Sequence, residues 1–173
     1  MTESDDATGR VGGSLRALLT QRPGPGRVTW IGVRPERLAP MQAREEATLV
    51  TARGVLGDHG NSRTGGKRQV TLLQAEHLDV IAKLVRRAEV SPLLLRRNLV
   101  VEGINLLALR ACRFTVGGVL LEGTGTCDPC SKMERALGVG GYNALRGHGG
   151  ILARVLEGGV VRLGDEVDFA ARD

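Results

Sequence analysis

The stretch RFTVGGVLLEGTGTCDPCSKME, residues 113–134, bears on both fold and chemistry. Its first half holds two short apolar runs, Arg113–Val116 and Val119–Leu121, separated by Gly117-Gly118. Two glycines between β-prone runs supply the positive φ angles of a two-residue hairpin, so the spacing predicts an antiparallel pair. The second half then places Pro129 directly before Cys130. Proline suits the first helical turn, so a helix is expected over 129–137.

Outward from this hairpin the same signals recur. Strand-like runs cover 27–34, closed by Pro35, then 47–53, 68–73 and 98–101, the last ended by Glu102-Gly103. Runs 151–156 and 160–162 flank Glu157-Gly158-Gly159, which reads as a second hairpin, and 166–170 follows Gly164-Asp165. A helix is expected over 74–87, because Leu78, Ile81, Ala82 and Val85 share one face at helical spacing. A shorter one is expected over 141–145. Many short strands with few helices predict a mainly β fold (β+α): a small closed or flattened β-barrel.

Residues 1–26 read as a disordered tail, acidic and then Gly/Pro-rich, with Pro23 and Pro25 ending a short helical patch. A single domain is expected over 27–173. The chain of 173 residues is 42% apolar and 25% charged, which suits one soluble domain. Only four aromatics are present, which disfavours modules that stack bases on aromatic platforms, so no nucleic-acid partner is expected. Net charge +5 is compatible with an anionic ligand but is carried mostly by arginine and does not decide the matter. The start MTESDDATGR has no apolar signal core, and no window could span a bilayer. A cytoplasmic protein with reduced thiols and no membrane partner is expected.

Cys127 and Cys130 form a C-x-x-C, with Cys112 as a third thiol. A thiol at a helix start meets the positive dipole end, which favours the thiolate, so Cys130 is the better placed nucleophile or soft-metal ligand. Other readings stay open: a dithiol redox pair, a zinc site assembled from Cys112, Cys127, Cys130 and His148, or two small buried hydrophobes. GDHGNSRTGGKRQ at 57–69 reads as an anion cradle or as an ordinary solvated loop, the latter favoured without context. Arg96 and Arg97 head the run 98–101. If they are strand residues their side chains face opposite ways, and Arg97 shares the parity of Leu99 and Val101, which would line the interior. His148 precedes Gly149-Gly150, a pair that allows close backbone approach.

Together these segments resemble the MOSC domain, the C-terminal domain family of molybdenum cofactor sulfurases, in its bacterial stand-alone form. The resemblance rests, in order, on GVLGDHG, KRQVTLLQAEHL, LLRRNLVVEGINLLAL, FTVGGVLLEGTGTCDPCSKME, GGYNALRGHGGILARVL and GDEV, covering about residues 27–169. His59 stands where the family commonly has Arg after Gly-Asp. The resemblance implies a β-barrel and a molybdenum cofactor (molybdopterin). It also implies a cysteine, by motif position Cys130, that binds molybdenum or carries sulfur as a persulfide. Cys127, as a second metal-ligand candidate, occupies a position where other members differ. Lys67, Arg68, Arg96, Arg97 and Arg146 are the phosphate candidates, with Asn98 and His148 as further cofactor contacts. Some relatives reduce N-hydroxylated compounds; others are fused to a pyridoxal-phosphate-dependent desulfurase. The implied partner is therefore an electron-donor reductase or a cysteine desulfurase, and the implied role is molybdenum enzyme, sulfur transferase or cofactor carrier.

Overall fold

The structure, a computed structural model, describes residues 15–19, 21, 23–62 and 64–170. The chain runs through α1 (Leu15–Leu18), β1 (Gly26–Val33), β2 (Gln42–Arg44), β3 (Glu46–Val50) and β4 (Gly54–Val55), then a 3-10 turn at His59–Ser62. It continues with β5 (Val70–Gln74), α2 (Glu76–Leu84), α3 (Pro92–Leu95), β6 (Leu99–Glu102) and α4 (Leu106–Leu109). Next come β7 (Arg113–Val116), β8 (Val119–Thr126), α5 (Ser131–Leu137), α6 (Gly141–Leu145), β9 (Ile151–Glu157), β10 (Gly159–Arg162) and β11 (Glu166–Phe169).

Seven strands close a mixed barrel in the order β1–β11–β7–β8–β9–β5–β6 and back to β1. The pairing of β5 with β6 is parallel and the others are antiparallel. Closure depends on β1, which pairs with β11 at Gly26 and Arg27, with β6 from Arg27 to Ile31, and with β2 from Ile31 to Val33. A bulge between Val28 and Trp30 shifts its register. The extra residue lets Val28 and Ile31 both point into the core, which simple alternation along RVTWIGVR does not allow.

Two apolar layers follow from the pleat. Leu72, Leu99 and Val101 fill the barrel with Ile31, Phe114 and Leu121. Their neighbours Leu73 and Val100 face outward, against Ile81, Leu95, Met133 and Leu145 from the helices. A strand buried on both faces reads as a continuous apolar run, which is why Leu99-Val100-Val101 shows no alternation.

The Gly117-Gly118 hairpin forms as expected, with Val116 opposite Val119. The second expected hairpin does not. β9 pairs with β8 and β5, whereas β10 leaves the barrel and pairs with β3 in a separate sheet ordered β10–β3–β4. Only Gly158 separates the two strands, and its amide is held by Thr51 Oγ1 at 3.1 Å, so the chain bends across β3 instead of folding back. The helix expected over 74–87 is shorter at both ends. Gln74 belongs to β5, and Arg86 turns left-handed at φ 57°. Arg87 reaches past it to donate to the carbonyl of Leu137 at 2.9 Å. β2, β4, α3 and α4 carried no pattern clear enough to predict. The expected tail falls largely outside the described residues, and β1 begins at Gly26, one residue before the expected domain start.

One glycine joins the barrel to the site. Gly150 has φ +86°, and a Cβ there would lie 1.9 Å from the carbonyl oxygen of Leu72. Gly150→Ala is therefore expected to lose more than about 2 kcal/mol of stability, measurable by chemical denaturation, because strain and a backbone clash coincide.

Candidate functional site

At one end of the barrel, a cavity of about 420 Å³ lies between β5, the segment before β6, the Asp58 loop and the start of α5. Cys127 and Cys130 both line it. β8 delivers the C-x-x-C segment, whose first residue is fixed by Cys127 N–H donating to the Gly150 carbonyl at 2.9 Å. Gly149 lies beneath it: a Cβ there would sit 2.1 Å from the Cys127 carbonyl oxygen. The close approach that Gly149-Gly150 permits is thus to the C-x-x-C loop and to β5. Cys130 is the N-cap of α5, is exposed, and makes no side-chain capping hydrogen bond. Cys127 is buried, with Arg68 Nη2 3.9 Å from its sulfur. Cys112, half-buried before β7, does not line the cavity.

Arg96 and Arg97 both line the cavity, which corrects the expectation that they face opposite ways. β6 begins only at Leu99, so strand parity does not reach them. Arg96 ends α3 in a left-handed conformation, and its Nη2 donates to the Arg37 carbonyl at 3.1 Å. Arg97 is buried and donates from Nε to Gly149 O (2.8 Å), from Nη1 to Leu95 O (2.7 Å) and from Nη2 to Cys127 O (3.3 Å). Its fork therefore clamps the C-x-x-C segment to its neighbours. Asn98 is similarly engaged. Its Oδ1 accepts from the amide and hydroxyl of Thr71, and its Nδ2 donates to Gly32 O and to Asp58 Oδ2.

Asp58 makes the 57–69 segment part of the site. Its carboxylate accepts from the amides of Arg34 and Gly60, both at 2.8 Å, as well as from Asn98. The loop is pinned to the barrel, contrary to the reading of an ordinary solvated loop. Arg34, which the sequence did not flag, lines the cavity with its Nε buried and without a partner. Nothing in its local sequence marks it; only the fold brings the end of β1 beside Asp58. Met41, Gln69, Thr71, Lys132 and Met133 were also not singled out.

Arg34, Arg68, Arg96, Arg97 and Lys132 thus meet two carboxylates, Asp58 and Asp128, around one cavity. Burial first, and then the Arg34 charge, push the Arg96 guanidinium below its usual range. Burial does the same to Arg97. Such mutual repulsion is relieved by an anion, and partly buried guanidinia bind oxyanions with charge-assisted hydrogen bonds.

Three expected residues stand elsewhere. Lys67 is exposed and outside the cavity lining; its carbonyl accepts from Thr124 Oγ1 at 2.6 Å. Arg146 is exposed at the end of α6. His148 pairs Nδ1 with the Ala144 carbonyl at 3.0 Å and meets His77 edge-on, ring centroids 5.1 Å apart. Among the described residues no group of three or more His, Cys, Asp or Glu converges as metal ligands, so the set Cys112, Cys127, Cys130 and His148 is not assembled.

The histidine pair predicts a pH dependence of stability. Burial and then His148 lower His77 from its ordinary 6.5. The unfolded chain therefore binds the proton first as pH falls. Stability should be complete above about pH 6.5 and decline as pH falls through it. Denaturation midpoints across that range should show this slope, flattened in His77→Phe; an equal slope in the variant removes His77 as its source.

A family model described as the MOSC domain matches residues 57–168. The chain belongs to the MOSC domain family. Solved structures agree on the fold. The YuaD protein from Bacillus subtilis superposes with TM-score 0.73 at 19% identity, over 83% of this chain and 94% of that one. YiiM from Geobacillus stearothermophilus gives TM-score 0.67 at 17% identity, over 86% and 76% of the two chains. YiiM from Escherichia coli gives 0.64 at 19%, over 85% and 71%. No curated protein matches the chain significantly. Among the described residues no helix is long and apolar enough to cross a membrane.

Proposed function

We propose that the cavity binds a molybdenum cofactor, with Cys130 as the protein's ligand to the metal. The observation that carries this reading is an exposed, uncapped thiol on the same cavity as several arginines, one with a buried unpartnered Nε. With no cage of protein ligands among the described residues, a metal held here must arrive with ligands of its own. A dithiolene-chelated metal bearing a phosphate meets that requirement, and thiolate is a suitable soft ligand for it. When bound, the group supplies a redox-active, sulfur-ligated metal centre.

The chain's own residues then divide the work. Cys130 Sγ anchors the metal. Arg34, Arg68 and Arg96 face the anionic portion. Arg97 ties the C-x-x-C loop, through the Cys127 carbonyl, to the carbonyls of Gly149 and Leu95, and Asp58, Asn98 and Thr71 fix the adjoining wall. The activity that fits is reduction of N-hydroxylated substrates with a separate electron-donor reductase in the cytoplasm. The exposure of Cys130 also favours a second reading, carriage of sulfur or of the sulfurated cofactor with a cysteine desulfurase as donor. Elemental analysis for molybdenum, zinc and labile sulfur, on protein made in a cofactor-competent host, tests both. Molybdenum near stoichiometry supports cofactor binding, labile sulfur without molybdenum supports sulfur carriage, and zinc alone overturns both.

A further inference from the structure

The two thiols of the C-x-x-C differ in a way that cofactor binding by Cys130 does not require. Cys130 is exposed at the cavity rim, whereas Cys127 is 3% exposed and shares the same cavity. A sulfur acceptor must be open to a donor; a resolving thiol must be shielded from that donor but within reach of the first sulfur. The two thiols differ in exposure in this way, stand three positions apart in the chain and line one cavity. Arg68 Nη2 stands 3.9 Å from Cys127 Sγ, so a cation faces the sulfur that would attack. The Cys127 backbone is held on both sides of its Cα: its N–H donates to the Gly150 carbonyl and its carbonyl accepts from Arg97 Nη2. Cys130 lacks any side-chain capping bond that would hold its sulfur back. Cys112 lies outside the cavity and cannot substitute.

We propose that Cys127 is a resolving thiol that discharges a persulfide from Cys130 as sulfide. The inference deepens the sulfur-carrying reading of this site and does not depend on molybdenum. The Cys127 thiolate attacks Sγ of the Cys130 persulfide. A bond forms between the two Sγ atoms, and the bond from Cys130 Sγ to the outer sulfur breaks. The electron pair of that bond leaves with the outer sulfur as hydrosulfide. The outer sulfur is reduced, and the two cysteines are oxidised to a disulfide. Two equivalents of a low-molecular-weight thiol then reduce the disulfide and restore both thiols. Carriage thus ends in sulfide release at the cavity, where a thiophilic metal centre or a second acceptor would take it.

The test uses the full chain, reduced, desalted and treated anaerobically with inorganic polysulfide. Excess reagent is removed promptly in the cold, sulfide then released by the desalted chain on warming is assayed, and the C-x-x-C peptide is weighed. The wild-type chain is expected to release about one sulfide per chain and to yield a peptide lighter by two hydrogens, the Cys127–Cys130 disulfide. Cys127→Ser is expected to release at least about tenfold less and to hold one extra sulfur on Cys130. Cys112→Ser should behave as wild type. A wild-type chain that keeps its persulfide while Cys127 remains open to alkylation overturns the proposal, and this measurement requires no variant to fold. A Cys127→Ser protein that melts like wild type yet takes up no sulfur overturns it too. Sulfur uptake separates this outcome from the parent reading: a wild-type chain that holds a stable persulfide on Cys130 keeps sulfur carriage and loses only the discharge by Cys127, whereas a chain that forms neither persulfide nor disulfide loses both.

Discussion

Cys130→Ser protein, purified from a cofactor-competent host, is expected to lose at least about tenfold of its molybdenum, whereas Cys112→Ser keeps the parent's load. A serine hydroxyl is a hard, protonated donor at neutral pH and cannot replace a thiolate on a soft, sulfur-ligated metal. The loss should be large because, among the described residues, no group of three or more His, Cys, Asp or Glu converges to hold a metal in place of Cys130. The substitution should scarcely alter folding, because Cys130 is exposed and caps nothing with its side chain. Metal analysis normalised to protein, read beside an unchanged melting temperature, checks the point. Equal molybdenum in Cys130→Ser and wild type would remove Cys130 from the site and leave the arginines to hold the cofactor alone.

What the sequence made legible is the part of the molecule governed by local rules. The Gly117-Gly118 hairpin follows from turn chemistry within a few residues, and so does a helix close after Pro129, although it begins at Ser131 and leaves Pro129 outside it. The placement of Cys130 at a helix start follows likewise. The interior roles of Leu99 and Val101 were readable from parity, and the structure places both in the barrel. The misreadings share a different cause. Glu157-Gly158-Gly159 has hairpin composition, but β10 finds its partner in β3, more than a hundred residues earlier. By sequence Arg96 and Arg97 read as the start of a strand, but the chain leaves α3 through a left-handed Arg96 before β6 starts. Asp58 looked like a loop residue because its partners, Arg34, Asn98 and Gly60, are assembled mainly by the fold. The cavity is built largely from such distant pairings. The sequence therefore pointed to Cys130 and its chemistry more readily than to Arg34, whose position depends on barrel closure.

The arginines are expected to separate into two classes. Arg97→Ala should cost about 3 kcal/mol or more, because three carbonyls, those of Gly149, Leu95 and Cys127, lose their donor around a buried side chain. At this chain length that corresponds to a fall in melting temperature of roughly 6–12 °C. Lysine should not rescue it, since a single ammonium cannot reach three carbonyls in the geometry of a planar fork. Arg34→Ala and Arg96→Ala should behave differently. The Arg34 Nε has no partner to lose, and Arg96 gives up one hydrogen bond to an exposed carbonyl, so each should cost under about 1 kcal/mol of stability. Each should instead weaken cofactor retention by about ten- to a hundredfold, the value of one charge-assisted contact to a phosphate. Melting curves and cofactor content, measured on the same three variants, resolve the classes. An Arg97→Ala protein that melts like wild type but loses its cofactor would make Arg97 the phosphate ligand. The clamp on the Cys127 segment would then have to come from the Gly150 carbonyl alone.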